Sequence, residues 1–425
     1  MKPPKLVVLV ALSSVTLCLV VHAADWPQWR GPLRNAASSE TGLLKEWPRE
    51  GPKLLWQNND IGDGYSTPAV AGDRVYTLSN RGLDNEYVQV LSAKDGKVLW
   101  TTTLGRVGNP DQRPSYPCSR STATVEGNTV YALSSDGDLA SLDAATGRVN
   151  WKRSLRADFG GQPHTWAYAE SPLIDGDALI VTPGGAKATM VALNKKTGAV
   201  VWQSAVPGGD QAGYSSAVAV EAAGQRQYVQ FLMKGLVGVD AKTGRFLWRY
   251  DGAVKGQYQA STPVPFGEHV YIGAGGNAGG GMVRLAAAGG GVAAEQVYFT
   301  PGLPNGNGGA VLVGGTLYGS NNRGLVAVEF MTGRPLWQTA QGEGIGPASV
   351  MYADGRLYLH GFNNEVALVE ATPQAYRELG RFVPPGRPQH PRGERESAWP
   401  HPVVANGRLY IRDLGTLWCY DVSTR

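Results

Sequence analysis

The sequence predicts an all-β chain, an eight-bladed β-propeller of four-stranded antiparallel blades, and three observations carry that expectation. Glycine supplies 57 of 425 residues, about twice the usual share, so the backbone must reverse direction often. One short string returns along the chain with a tryptophan always four residues after a glycine. That glycine, or the position standing for it, falls at 96, 147, 198, 244, 290, 333, 374 and 425, a spacing close to that of four-stranded propeller blades.

Residues 1–23 read as a secretory signal peptide, with Lys2 and Lys5, an apolar run from Leu6 to Val21, and the small-residue cleavage pattern Val21-His22-Ala23. The run holds Ser13, Ser14 and Thr16 and falls short of the ~20 apolar residues of a spanning helix. No membrane span is expected after cleavage, and the mature chain is expected to be periplasmic or secreted. Thr16-Leu17 before Cys18 lack the small residues that lipid attachment requires. An N-terminal segment follows at 24–52, and the propeller is expected over 53–425.

Within a unit, Val88, Val90 and Ser92 alternate as a strand, Lys94-Asp95-Gly96 turns the chain, and Val98-Leu99-Trp100 begins the return. Ser66-Thr67-Pro68-Ala69-Val70 and Arg74-Val75-Tyr76-Thr77-Leu78 supply two more short strands, which makes four. The string recurs with Gly147 and Trp151, Gly198 and Trp202, Gly244 and Trp248, and Gly333 and Trp337. Degenerate copies near Leu285 to Gly291 and Val369 to Leu379 place the tryptophan position at Ala294 and at Glu378-Leu379, and these blades should be less regular. The last copy stops before its fourth strand, whereas Lys53 to Asn58 is an unpaired strand carrying Trp56. It should pair beside Leu417 to Asp421 and close the ring without a free edge. Trp56, Trp100, Trp151, Trp202, Trp248 and Trp337, repeated at one place per blade, are read as structural.

The Asp-x-x-Thr-Gly-x-x-x-Trp string resembles the repeat of the pyrroloquinoline quinone (PQQ)-like propeller superfamily over about residues 25–425, and Asp25-Trp26-Pro27-Gln28-Trp29-Arg30-Gly31-Pro32 is similar to the opening of secreted PQQ-repeat proteins. The resemblance implies either a quinone-dependent alcohol or sugar dehydrogenase or a scaffold propeller such as the BamB-like outer-membrane assembly factors. Those dehydrogenases carry an adjacent Cys-Cys pair, a calcium site and often a haem-attachment motif. This chain has no Cys-Cys and no Cys-x-x-Cys-His.

A formal charge of +4, reduced to +2 without Lys2 and Lys5, gives no basis for nucleic-acid binding. Cys118 and Cys419 lie far apart in different patterns, so neither a disulfide framework nor a cysteine metal site is expected. Asp136-Gly137-Asp138 and Asp175-Gly176-Asp177 lack the later glutamate of a calcium loop, and no metal site is expected. The expected function is an extracytoplasmic binding or scaffold module without a cofactor, the alternative being a PQQ-dependent dehydrogenase holding PQQ with Ca²⁺. Strands are consumed in building the ring, so recognition falls to loops. Three long ones, Arg106 to Arg120, Arg156 to Ala169 and Arg381 to Trp399, lead into blades two, three and eight. Guanidinium forks suit carboxylates, and aromatic rings suit stacking. Arg113, Arg120, His164, Trp166, Tyr168, Arg392, Trp399 and His401 are therefore the expected site, for a protein, peptide or anionic saccharide partner.

Overall fold

The computed structural model describes residues 24–112, 116–256, 258–276, 278–390 and 397–424, so the expected signal peptide lies outside the described residues. Eight antiparallel sheets of four strands form the ring. Blades 1 to 7 occupy 69–105, 124–154, 173–204, 218–250, 264–300, 310–338 and 348–382. Blade 8 takes three strands from 403–421 and its outer strand from Lys53–Asn58, in the register Lys53 to Asp421 and Asn58 to Leu417. Burial follows position in the blade. Asn85–Ser92 is buried along nearly its whole length, while half of the outer strand Val98–Gly105 is exposed. No described helix is long and apolar enough to cross a membrane.

Each blade carries a slip in register between its third and fourth strands, with a second one in blade 1, and in the six blades that hold the repeat tryptophan a slip falls beside it. In blade 1 Leu91 faces Val98 but Val90 faces Trp100, so Leu99 is bulged and the indole swings toward the next blade. Trp100 then lies over Gly147 and donates its Nε1–H to Ala144 O at 3.1 Å. The same contact joins Trp56 to Ala93 O (2.9 Å), Trp151 to Lys195 O (3.0 Å), Trp202 to Ala241 O (3.1 Å) and Trp337 to Thr372 O (2.9 Å). The bulge also corrects the expected position in the degenerate copies. In blade 5 it selects Tyr298 rather than Ala294, and that ring covers Gly333 and donates to Phe330 O at 2.7 Å. In blade 7 it selects Gly380, against which Trp47 of the N-terminal segment packs, supplying the aromatic that the blade lacks. Blade 5 departs from the other blades in its last hairpin. Its last hairpin has the longest strands, Gly279–Ala288 and Gly291–Thr300, and carries Gly290 out of reach, so Trp248 bonds Gln227 Oε1 of its own blade instead.

Gly147 needs glycine on two grounds, since φ is +74° and an added Cβ would sit 2.5 Å from the Trp100 ring. Gly127, at φ +55°, has open space around it. Gly127→Ala should cost about 1 kcal/mol for the left-handed backbone alone, and Gly147→Ala about 2 to 3 kcal/mol once the clash is added. Urea denaturation of the pair checks this, and equal losses would show that the indole yields freely.

Inside the ring lies a feature unforeseen in the sequence. Residues 24–40 are hydrogen-bonded to all eight blades, which places them within the central channel. Trp26 pairs with Val70 through two 2.8 Å bonds in blade 1, and Pro27 O accepts from Val125 N in blade 2. The Arg34 guanidinium donates to Ser171 O at 3.0 Å in blade 3 and to Ala217 O at 2.9 Å in blade 4. Trp29 Nε1 donates to Thr262 Oγ1 in blade 5, and Arg30 donates to Ala310 O in blade 6. Ser38 N reaches Tyr352 O in blade 7, and Glu40 accepts from Gly407 N in blade 8. Arg30 and Arg34 donate mainly to backbone carbonyls, with Arg34 Nε turned to Gln28 Oε1 at 3.0 Å, and burial lowers their pKa to about 10 and about 9.

A third buried arginine fastens the seam where the ring closes. Arg412 of blade 8 donates to Leu414 O (3.0 Å), and across the seam to Leu78 O (2.8 Å), Ser79 Oγ (2.8 Å), Ser66 O (3.2 Å) and Gly62 O (3.3 Å).

Candidate functional site

The loops that enter each blade share a register near the axis. The residue four places before the first strand is Tyr65, Arg120, Ala169, Tyr214, Ala260, Gly306, Gly344 and Trp399 in blades 1 to 8, and all but Gly344 line one axial cavity of about 450 Å³. Two places later, hydroxyls lock neighbouring loops together. Thr122 N donates to Ser171 Oγ, Ser171 N to Ser216 Oγ, and His401 N to Thr67 Oγ1, each at 2.9 Å. The wall is thus held by interblade hydrogen bonds. Trp29 of the channel segment lines the cavity and meets His401 edge-on at 4.6 Å, so the cavity is a cup with a floor rather than a tunnel.

Three sectors make up the wall. In the first, the Arg120 guanidinium lies 5.1 Å from the Tyr65 ring centre and 5.8 Å from that of Trp399, and donates to Gln112 Oε1 (3.0 Å) and Tyr116 O (3.1 Å). In the second, Trp166 stands 5.4 Å from Tyr214 and 6.0 Å from Tyr258, with interplanar angles of 48° and 71°. The Tyr214 hydroxyl accepts from Trp166 N (3.2 Å) and is bonded to His164 Nδ1 (3.0 Å), which fixes the loop under Trp166. Burial pushes the Tyr214 phenol up to about 12 and lowers the His164 pKa. The third sector carries Asn305, Asn307, Asn321, Asn322 and Ser320. No carboxylate is found among the described lining residues.

Of the expected site residues, Arg120, Trp166, Trp399 and His401 line the cup, and His164 stands behind its wall. Tyr168 does not belong with them. It is 1% exposed in the blade packing and donates its hydroxyl to Pro183 O at 2.8 Å, a core role. Arg113 and Arg392 lie outside the described residues. His401 is held neutral, its pKa lowered to about 3 by burial and then by Arg30, so it brings no charge to the cup. Sequence reasoning missed Tyr65, Tyr214, Tyr258, Trp29 and the asparagines because it weighed loop length. The signal was the recurring short motif seen in Tyr65-Ser66-Thr67-Pro68, Arg120-Ser121-Thr122-Ala123 and Tyr214-Ser215-Ser216-Ala217.

A family model described as outer membrane protein assembly factor BamB matches residues 34–165 and 84–339. The chain belongs to this family. Outer membrane protein assembly factor BamB of Yersinia pestis is 28% identical over 156 residues, 36% of each chain. Tetrathionate hydrolase of Acidithiobacillus ferrooxidans is 22% identical over 257 residues, 52% of this chain and 48% of that protein. The chain therefore spans about half or less of the length of these relatives. Among solved structures, BamB from Moraxella catarrhalis superposes with a TM-score of 0.57 at 17% identity, covering 85% of this chain and 95% of that one. Quinohemoprotein alcohol dehydrogenase from Comamonas testosteroni gives 0.65 at 13% identity, covering 94% and 81%. Identities this low speak to the fold alone. The fold is thus shared by proteins named for assembly and by proteins named as dehydrogenases.

Proposed function

We propose that this propeller is an extracytoplasmic binding or scaffold module that receives a protein, peptide or anionic saccharide at its loop face, with the axial cup as the recognition site. The observation that carries the reading is the chemistry of the lining, in which seven aromatic rings and four carboxamides surround one guanidinium, with no carboxylate among the described residues. Such a set holds and orients a ligand. The name of the assembly-factor relatives supports a protein-facing role.

The alternative, PQQ-dependent oxidation, asks for a calcium ion, and calcium takes oxygen ligands that include carboxylates. The described lining offers amide and hydroxyl oxygens but no carboxylate, and no group of three or more His, Cys, Asp or Glu gathers among the described residues. The pair PQQ and Ca²⁺ does not fit this donor set, and no step is derived through it. Reduction of a dye by the protein incubated with PQQ, Ca²⁺ and a panel of alcohols and sugars would overturn the proposal.

Trp29, Trp166 and Trp399 all face the cup, so occupancy should change tryptophan emission in a screen of peptides and acidic oligosaccharides. Arg120→Ala combined with Trp166→Ala is expected to weaken any such binder at least 100-fold while lowering stability by less than about 2 kcal/mol, the usual range for partly exposed side chains. Binding that survives the double substitution removes the cup from the account.

A further inference from the structure

We infer that a single-atom monovalent anion of the halide class, chloride being the abundant member, is held on the propeller axis behind the cup floor, against Arg30 Nη1 and between Gly309 and His401. The site is separate from the recognition surface of the cup and does not depend on what the cup receives.

Three observations converge. The first is charge. Among the described residues three arginines are buried, Arg30, Arg34 and Arg412. Two of them feel carboxyl groups, Glu170 acting on Arg34, and Asp63 and Asp413 on Arg412. Arg30 feels burial alone. The second is hydrogen bonding. Arg30 Nε donates to Arg34 O at 3.4 Å and Nη2 to Ala310 O, which leaves Nη1 buried and without a hydrogen-bond partner among the described residues. An uncompensated charge and an unpaired donor in one place both raise the free energy away from water, and one small anion offsets both. The third is room. Gly309 sits at φ +63° with no side chain in front of Nη1. A Cβ there would lie 2.5 Å from Nη1, and His401 Cε1, at 3.5 Å, belongs to the next nearest residue. The His401 ring is neutral and its Nε2 donates to Asn307 O at 3.0 Å, so it borders this space without a competing charge. Arg30 is 2% exposed and does not line the cup. So enclosed a place suits one atom, since a carboxylate or phosphate brings further oxygens that each need a donor of their own. Arg30 belongs to the channel segment, Gly309 leads into blade 6 and His401 into blade 8, so the ion would tie the axis to two blades. An anion bound by the folded ring and not by the unfolded chain adds stability as its concentration rises.

The test is urea denaturation of the full chain at one ionic strength, with sodium chloride exchanged stepwise for sodium gluconate, whose anion is too large for the space. At fixed urea the unfolding constant is expected to fall at least about tenfold between roughly 1 and 100 mM chloride, the result for a dissociation constant of about 10 mM or below, and bromide should replace chloride. Arg30→Gln keeps an amide donor and removes the charge, so its stability should be the same in chloride and gluconate. Gly127→Ala, at a turn with open space around it, should keep the full response, which separates loss of the site from loss of stability in general. If Arg30→Gln does not fold, the unaltered protein decides: crystals soaked in bromide are expected to show an anomalous peak within about 3.5 Å of Arg30 Nη1. Peaks at surface cations alone mean an adventitious ion only and overturn the inference. Equal stability of the unaltered protein in chloride and gluconate, or a chloride response retained by Arg30→Gln, overturns it as well.

Discussion

Arg412→Met should destabilise the propeller by about 3 to 5 kcal/mol, the scale for removing one partner from a buried charged network. The side chain is fully buried, and its three nitrogens satisfy four carbonyls and the Ser79 hydroxyl where blade 8 meets blade 1. Methionine fills much of the volume but donates nothing, leaving those carbonyls to lose their hydrogen bonds away from water. Burial already lowers the guanidinium pKa to about 10, so the charge is held by carbonyl dipoles and the more distant Asp63 and Asp413. Denaturant unfolding should show a lower midpoint at an unchanged slope. A loss under about 1 kcal/mol would mean that water reaches the seam and that closure rests on the strand pairing of Lys53–Asn58 alone.

Stability should also fall as pH rises from 5 to 8. Glu86 is buried in blade 1, where it accepts from Ser135 N at 2.9 Å, and burial pushes its pKa up to about 7. Glu170 lies behind the cup wall beside Gln230 Nε2 at 3.0 Å and is likewise pushed by burial up to about 7. A carboxyl whose folded pKa exceeds its unfolded value near 4.5 contributes stability that is fully present below 4.5 and lost as pH rises through 7. Between pH 5 and 8 each glutamate withdraws on the order of 2 to 3 kcal/mol. His401 works in the opposite sense, because its folded pKa near 3 lies below 6.5, so its contribution is present above 6.5 and lost as pH falls toward 3. The two glutamates outweigh one histidine over the upper part of this range. Glu86→Gln keeps an acceptor for Ser135 N and removes the titration, so it should flatten the pH slope by about one proton. An unchanged slope in that variant, or stability that rises from pH 5 to 8, would sink the assignment.

Features set by neighbours in sequence were legible before the structure. A glycine turn followed by a strand with its indole is a local pattern, and it located the blades, the outer strand Lys53–Asn58 and the interblade tryptophans. Where the pattern degenerated, counting residues failed, because the bulge and not the distance from the turn sets which side chain faces the next blade. Tyr298 takes that place four residues beyond the position the count assumed, and Trp47 takes it from another part of the chain. The buried arginines were illegible for a related reason. Arg34 meets Ser171 and Ala217, and Arg412 meets Gly62 and Ser66, across separations that no periodicity records. Loop length drew attention to Arg120, Trp166 and Trp399 but also to Tyr168, whose hydroxyl finds a carbonyl inside the blade.

The segment bonded to every blade sets a schedule for assembly. Residues 24–40 are made before any of their partners, and the last of these, Gly407, follows Glu40 by 367 residues. The closing strand waits equally long, since Lys53–Asn58 pairs with Leu417 to Asp421. Blades 1 to 7 are each built from local hairpins and can form as they are synthesised, but the axis and the seam belong to contacts of the greatest sequence separation, which are slow to form. Until they do, the nascent ring presents an open edge of the kind that pairs with other chains. Maturation of the cup is thereby tied to contacts far along the chain, since its floor residue Trp29 donates to Thr262 and the channel segment's Glu40 accepts from Gly407.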